Sequence, residues 1–191
     1  MGASGSWKGV RVLAVGHSTL PIEEFLELLR SNGVGILADV RTVPRSRHNP
    51  QFEKGALAEA LGRGGMEYFH LKRLGGLRKP RPNSPNQGWR SASFRGYADY
   101  MASPDFEEGL SELRALADRA QIAIMCAEAV PWRCHRSLIA DALLARGAKP
   151  EHITGPGRTR PHELTPFARV DGERLSYPPA PVTTDARGEA P

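Results

Sequence analysis

The chain has only two cysteines, Cys126 and Cys134, among its 191 residues, so a disulfide scaffold is excluded. In a reducing compartment both would be thiols, thiolates or metal ligands. Long apolar runs are missing too: IAIMCA and its like fall far below the roughly 18 to 20 residues that a membrane span needs. The opening MGASGSWKG lacks the apolar centre of a signal peptide. Together these absences point away from a membrane and towards the cytoplasm. Internal repeats are also lacking.

An apolar share of 40% over this length suits one ordinary globular domain. The expected organisation is a flexible leader over 1–8, a single α/β domain over 9–170, and a Pro-rich tail over 171–191 that is disordered or draped over the surface. The net charge of +5 is uneven, because residues 41 to 95 hold 12 Lys/Arg against 3 Asp/Glu, a balance of +9 that leaves −4 elsewhere. Such asymmetry suits an anionic partner, a nucleotide or nucleic acid. Solubility alone would also use a basic surface.

Strand-like runs alternate with helix-like ones. VRVLAV (10–15) and ILADV (36–40) are β-branched and apolar, and the segment between them, from Pro21 to Asn32, carries a buried stripe of Phe25, Leu28 and Leu29. Ser18 or Thr19 would cap that helix, Glu23 and Glu24 suit its first turn, and Gly33 ends it. Helices are also expected over 54–63, 94–101, 105–120 and 134–146, and strands at MEYFHL, at QIAIMCA and briefly at His152-Ile153. Between MEYFHL and the third helix lies a Gly-, Pro- and Arg-rich segment without periodicity, a long functional or mobile loop. The alternation predicts a Rossmann-like, doubly wound, mostly parallel sheet with helices on both faces. Ligands of such sheets bind beyond the carboxyl ends of the strands, where this sequence places Gly16-His17-Ser18, Asp39 with Arg41, His70, and Cys126 with Glu128.

Each cluster admits more than one chemistry. If the strand runs on through Cys126 and Glu128, the two share a face. A carboxylate beside an apolar strand end would hold its proton and serve as acid, base or nucleophile; pairing with Arg133 or Arg136 is the plainer role. Cys134 stands at a helix start, where free N–H groups favour a thiolate, though small buried cysteines are common in cores. Zinc could draw on Cys126, Cys134, His135 and His17, but C-x7-C-H is no short knuckle and adjacent Cys-His is awkward for a tetrahedron; no residue is assigned to a metal, and the sequence requires no cofactor. A phosphatase loop fails because Trp132 occupies the arginine position. Arg133, Arg136 and the helix amides could still cradle phosphate. Asp39 and Arg41 read as a carboxylate with an anion clamp, or as a salt bridge closing a loop. His17 is either a ring polarising a substrate or one satisfying its own turn.

Several separated motifs occur together: GHST, DVRTVPRSR, EYFHLKRLGG, FRGYADYM, MCAEAVPWRCHR and HITGPGRTRPHELTPFA. In this set the chain resembles the family named domain of unknown function 488, from about residue 10 to 170. By that resemblance Gly16, His17, Ser18, Asp39, Arg41, Pro44, Arg45, Ser46, Leu74, Gly75, Gly76, Arg95, Tyr97, Cys126, Glu128, Pro131, Cys134, His135 and Arg136 are copies of family motifs. It implies a compact Rossmann-like fold, and some members carry a DNA-repair label; it supplies no reaction.

The expectation is an enzyme, a hydrolase or transferase, acting on a glycosidic or phosphoester bond of a nucleotide or nucleic acid. Glu128 would act with His17, Asp39, Cys126 and Cys134 as catalytic groups. Ser18, Arg41, Arg45, Ser46, Gly75, Gly76, Arg95, Tyr97, His135 and Arg136 would hold the substrate. The alternatives are a non-catalytic binder of nucleic acid or anionic ligand, and a thiol or zinc protein.

Overall fold

A computed structural model describes residues 5–180. Six strands form one sheet in the order β3-β2-β4-β1-β5-β6. They are β1 (Arg11–Gly16), β2 (Ile36–Asp39), β3 (Glu67–His70), β4 (Ile122–Cys126), β5 (Lys149–Gly155) and β6 (Arg158–Pro161). The first five run parallel and β6 returns antiparallel to β5, so the architecture is the Rossmann-like α/β fold expected.

Alternation along each central strand divides the core between two faces. Val12, Ala14, Ile36, Ala38, Ile122 and Ile124 pack on one side with side chains of α3 (Ala92–Tyr100), α4 (Pro104–Ala117) and α5 (Arg136–Ala145). Leu13, Val15, Leu37, Ala123 and Met125 face the other, against α1 (Ile22–Ser31) and α2 (Lys54–Arg63). Phe25 and Leu29 of α1 are fully buried, each worth about 1.5–3 kcal/mol against exposure.

Helix ends differ in part from expectation. Neither Ser18 nor Thr19 caps α1; Pro21 takes the N-cap position without a side-chain bond, while Ser18 adopts a left-handed φ of 46° in the preceding turn. Gly33 does end α1, at φ 71°. In α4 the Ser103 side chain accepts from the Phe106 amide and Pro104 opens the helix. The long loop after β3 is pinned: Asp99 of α3 accepts from Arg81 N, Ser84 Oγ and Asn86 Nδ2 at 2.6–2.8 Å.

The packed structure also exceeds the expected limits at both ends. Trp7, assigned to the leader, is buried. Beyond residue 170 a hairpin of β7 (Arg169–Asp171) and β8 (Arg174–Ser176) leads to Tyr177, which is fully buried. Its hydroxyl donates to Asp141 Oδ2 at 2.9 Å and its amide to Asn86 Oδ1 at 2.8 Å. Residues 181–191 of the expected tail lie outside the described residues.

Candidate functional site

The carboxyl ends of β1, β4 and β2 lie side by side, so the segments that follow them meet. Main-chain bonds join two of them, His17 N donating to Cys126 O at 3.1 Å and Ser18 N to Ala127 O at 2.9 Å, and the His135 ring ties in the third, Nε2 donating to Val40 O at 2.9 Å. Gly16 permits this approach, since a Cβ there would collide with the Glu128 carbonyl.

One half of the site is a closed ion-pair network. Asp39, fully buried, accepts from Arg41 N at 3.0 Å, Arg41 Nε at 2.9 Å, Arg41 Nη2 at 2.6 Å and Tyr68 Oη at 2.7 Å. Arg41 Nη2 also donates to Phe52 O at 2.9 Å, and Nη1 faces His17 Nε2 at 3.4 Å. His17 donates from Nδ1 to Ser18 O at 2.9 Å and stacks on Phe52 at 4.0 Å between centroids. That bond leaves Nε2 as the acceptor. Burial, opposed by the Ser18 carbonyl and reinforced by Arg41, lowers the His17 pKa to about 4, so the ring is neutral. Burial, then the charge of Asp39, pushes the Tyr68 phenol up. Asp39 and Arg41 thus form a loop-closing ion pair, one of the two roles expected of them: Arg41 Nε and Nη2 are spent on Asp39 and Phe52 O, and Nη1 faces His17 alone among the described residues.

The other half is built on sulfur. Arg136 is 1% exposed. Its Nε donates to Cys134 Sγ at 3.4 Å, and its Nη2 donates to the Glu128 carbonyl. No carboxylate pairs with it among the described residues. His135 Nδ1 lies 3.6 Å from Cys134 Sγ. Hydrogen bonding from Cys126, against the cost of burial and with help from His135 and Arg136, lowers the Cys134 pKa; Cys126, donating, is shifted up.

The donor atoms of Cys126, Cys134 and His135 all fall within 4.8 Å of one another. Adjacency of Cys134 and His135 is therefore no obstacle to convergence, contrary to expectation, and three N/S donors match the count of an open zinc site. Arg136 argues for a different use: its guanidinium already lies against Cys134 Sγ, and a dication there would sit beside a buried cation.

Glu128 falls outside this arrangement. β4 stops at Cys126 and the side chain two residues on is exposed; among the described residues its carboxylate accepts only from Val130 N, at 3.3 Å. The apolar surroundings and the pairing with Arg133 or Arg136 expected for it are absent; its carbonyl meets Arg136 instead. Tyr97 is buried, donating to Leu74 O at 2.9 Å with its ring 5.1 Å from that of His135, and so supports His135 from behind. Gly75 packs on Thr42, and Gly76 on the His135 ring, where a Cβ would lie 2.5 Å from Nδ1. Arg95 Nη1 donates to Trp89 O at 3.1 Å. The Ser46 amide donates to Glu53 Oε1 at 2.6 Å. Arg45 borders a cleft of about 460 Å³ with Thr42, Lys54, His70 and Lys72.

Tyr68 and Phe52 are partners of Asp39 and His17; an aromatic gives no sequence sign of which ring edge meets a polar group. A family model, Domain of unknown function DUF488, matches residues 21–143. The chain belongs to this family. The match takes in Asp39, Arg41, Cys126, Cys134, His135 and Arg136 and stops before β5. No curated protein and no solved structure matches the chain. Among the described residues no helix is long and apolar enough to cross a membrane.

Proposed function

We propose that this DUF488 protein is a thiol enzyme in which Cys134 is the nucleophile and the substrate is anionic, a nucleotide or nucleic acid. The observation that carries the reading is Arg136, a buried guanidinium that has no carboxylate partner among the described residues and donates to Cys134 Sγ. A cation in that position calls for an anion, and the thiolate supplies it. His135, fixed through its bond to Val40 O, presents Nδ1 to take the thiol proton and later pass it to a leaving group. Cys126 supports the thiolate as a hydrogen-bond donor. Cys134 is 4% exposed, so attack requires the 127–133 segment, whose Ala127, Glu128, Ala129, Trp132 and Arg133 are exposed, to lift and reclose. The excess of positive charge over residues 41–95 supports an anionic substrate.

Thiolate ultraviolet absorbance, followed across a pH titration, tests the assignment. Wild type and Cys126→Ser should show one thiolate already ionised at neutral pH, and Cys134→Ser should show none; Glu128→Gln should match wild type. Absorbance that survives in Cys134→Ser, or stoichiometric zinc in protein prepared without a histidine tag, would overturn it.

A further inference from the structure

A second cluster lies outside this site. β5 and the segment after β6 bring His152, His162 and Thr165 to Asp141 of α5, which is fully buried. Asp141 Oδ1 accepts from His162 Nε2 at 2.8 Å and from Thr165 N at 3.0 Å; Oδ2 accepts from Thr165 Oγ1 at 2.7 Å and from Tyr177 Oη at 2.9 Å. The carboxylate can only accept, so His162 Nε2 carries a proton, and in the neutral imidazole Nδ1 is left as an acceptor. His152 Nε2, 2.9 Å away, must then donate to it. The chain of donors ends on His152 Nδ1, a lone pair with no partner. His152 is 9% exposed.

This histidine borders a cavity of about 680 Å³, and so does Trp89, whose indole Nε1–H is likewise buried without a partner. Two residues lining the cavity thus carry an unpaired acceptor and an unpaired donor, both shielded from bulk water, where a bond formed to them counts most. Trp132, Phe167 and Pro131 add apolar surface to the lining, and Trp132 is 72% exposed. Arg160 stands at the same cavity, tied only to Glu163 through an exposed pair at 3.4 Å, an attachment of little strength. The volume lies within the range of small-molecule sites, about 300–1,000 Å³.

We infer that this cavity binds the heterocycle of a nucleotide. A planar ring edge carries hydrogen-bond acceptors and donors side by side, the complement of Trp89 Nε1–H and His152 Nδ1. The ring face packs on Trp132, and Arg160 takes the phosphate. Asp141 and His162 are positioning residues that fix the tautomer of His152. The same segment that covers Cys134 supplies Val130, Pro131 and Trp132 to this cavity, so a nucleotide seated here lies against the back of the loop proposed to move. The site goes beyond the thiolate reading and does not depend on it.

The test is a titration of the full chain with adenosine, guanosine, cytidine and uridine 5′-monophosphates, read by tryptophan fluorescence and, separately, by calorimetry, with ribose 5-phosphate as the control lacking a base. At least one nucleotide should bind saturably while ribose 5-phosphate does not. Affinity should fall at least tenfold in Trp132→Ala and in Arg160→Ala, both changes at exposed side chains. Arg160→Ala, which removes no group of the Cys134 cluster, should lose nucleotide affinity while keeping the wild-type thiolate absorbance, which separates this proposal from the previous one. No saturable binding by any of the four, equal binding of ribose 5-phosphate, or unchanged affinity in Trp132→Ala would overturn it.

Discussion

Lowering the pH should destabilise this protein through His17. The ring is stacked on Phe52, accepts from Arg41 at Nε2 and donates to Ser18 O, so a second proton has no acceptor to meet and faces a guanidinium. With a folded pKa of about 4 against 6.5, the unfolded chain binds more protons throughout that window. Stability therefore rises with pH between the two values and is lost as pH falls through them. A shift of this size is worth about 3 kcal/mol in full, of which about 2 kcal/mol should already be gone between pH 7 and pH 5. His152, also lowered to about 4, chiefly by burial and then by His162, adds to the same slope. Urea midpoints measured from pH 7 to pH 4.5 should fall steeply in wild type. In His17→Gln, whose amide can keep both hydrogen bonds, the loss should be roughly halved, since two histidines of similar shift share it. A variant whose midpoints follow the wild-type slope would show that His17 is not excluded from protonation, and the argument from burial would be refuted.

Gly76→Ala should cost about 1–3 kcal/mol of stability, because its Cβ would lie 2.5 Å from His135 Nδ1 and force the ring off the Val40 carbonyl; urea unfolding measures the loss, and the Cys134 thiolate absorbance should titrate at higher pH than in wild type. Tyr177→Phe removes a hydrogen bond to a buried carboxylate and should cost about 1.5–3 kcal/mol. The same measurement decides whether the residues after 170 belong to the folded unit: a variant as stable as wild type would detach them.

Backbone periodicity made most of the fold legible. Strands buried on both faces are continuous apolar runs, and VRVLAV, ILADV and QIAIMCA are hard to read otherwise; the helix Lys54–Arg63 fell at its expected ends because the glycine pair Gly64-Gly65 follows it. Where tertiary contact replaced a local rule the reading failed. Ser18 is a sound cap by type, yet the turn after β1 uses it at a left-handed φ to bond its amide to Ala127 O. Tyr177 sits in a proline-rich segment that composition assigns to a tail, and it is Asn86 and Asp141, far away in sequence, that give it a place in the core.

The same distinction separates the parts of the site that were foreseen from those that were not. Strand ends fix where main-chain atoms go, so His17, Asp39 and Cys126 could be assigned to one edge from the order of elements alone. What a side chain does at that edge depends on which partner reaches it first, and this is a competition between segments far apart in sequence. Asp39 had Arg41 two residues away and Tyr68 from the adjacent strand, and was consumed by them. Arg136 found no carboxylate and fell to sulfur. Glu128 missed the cluster by a single strand boundary: β4 ends at Cys126, the alternation that would have turned the carboxylate inward ends with it, and only the carbonyl of Glu128 remains within reach of Arg136. A role inferred from residue type at a strand end is thus secure for the backbone position and conditional for the side chain until each charged neighbour has been given its partner.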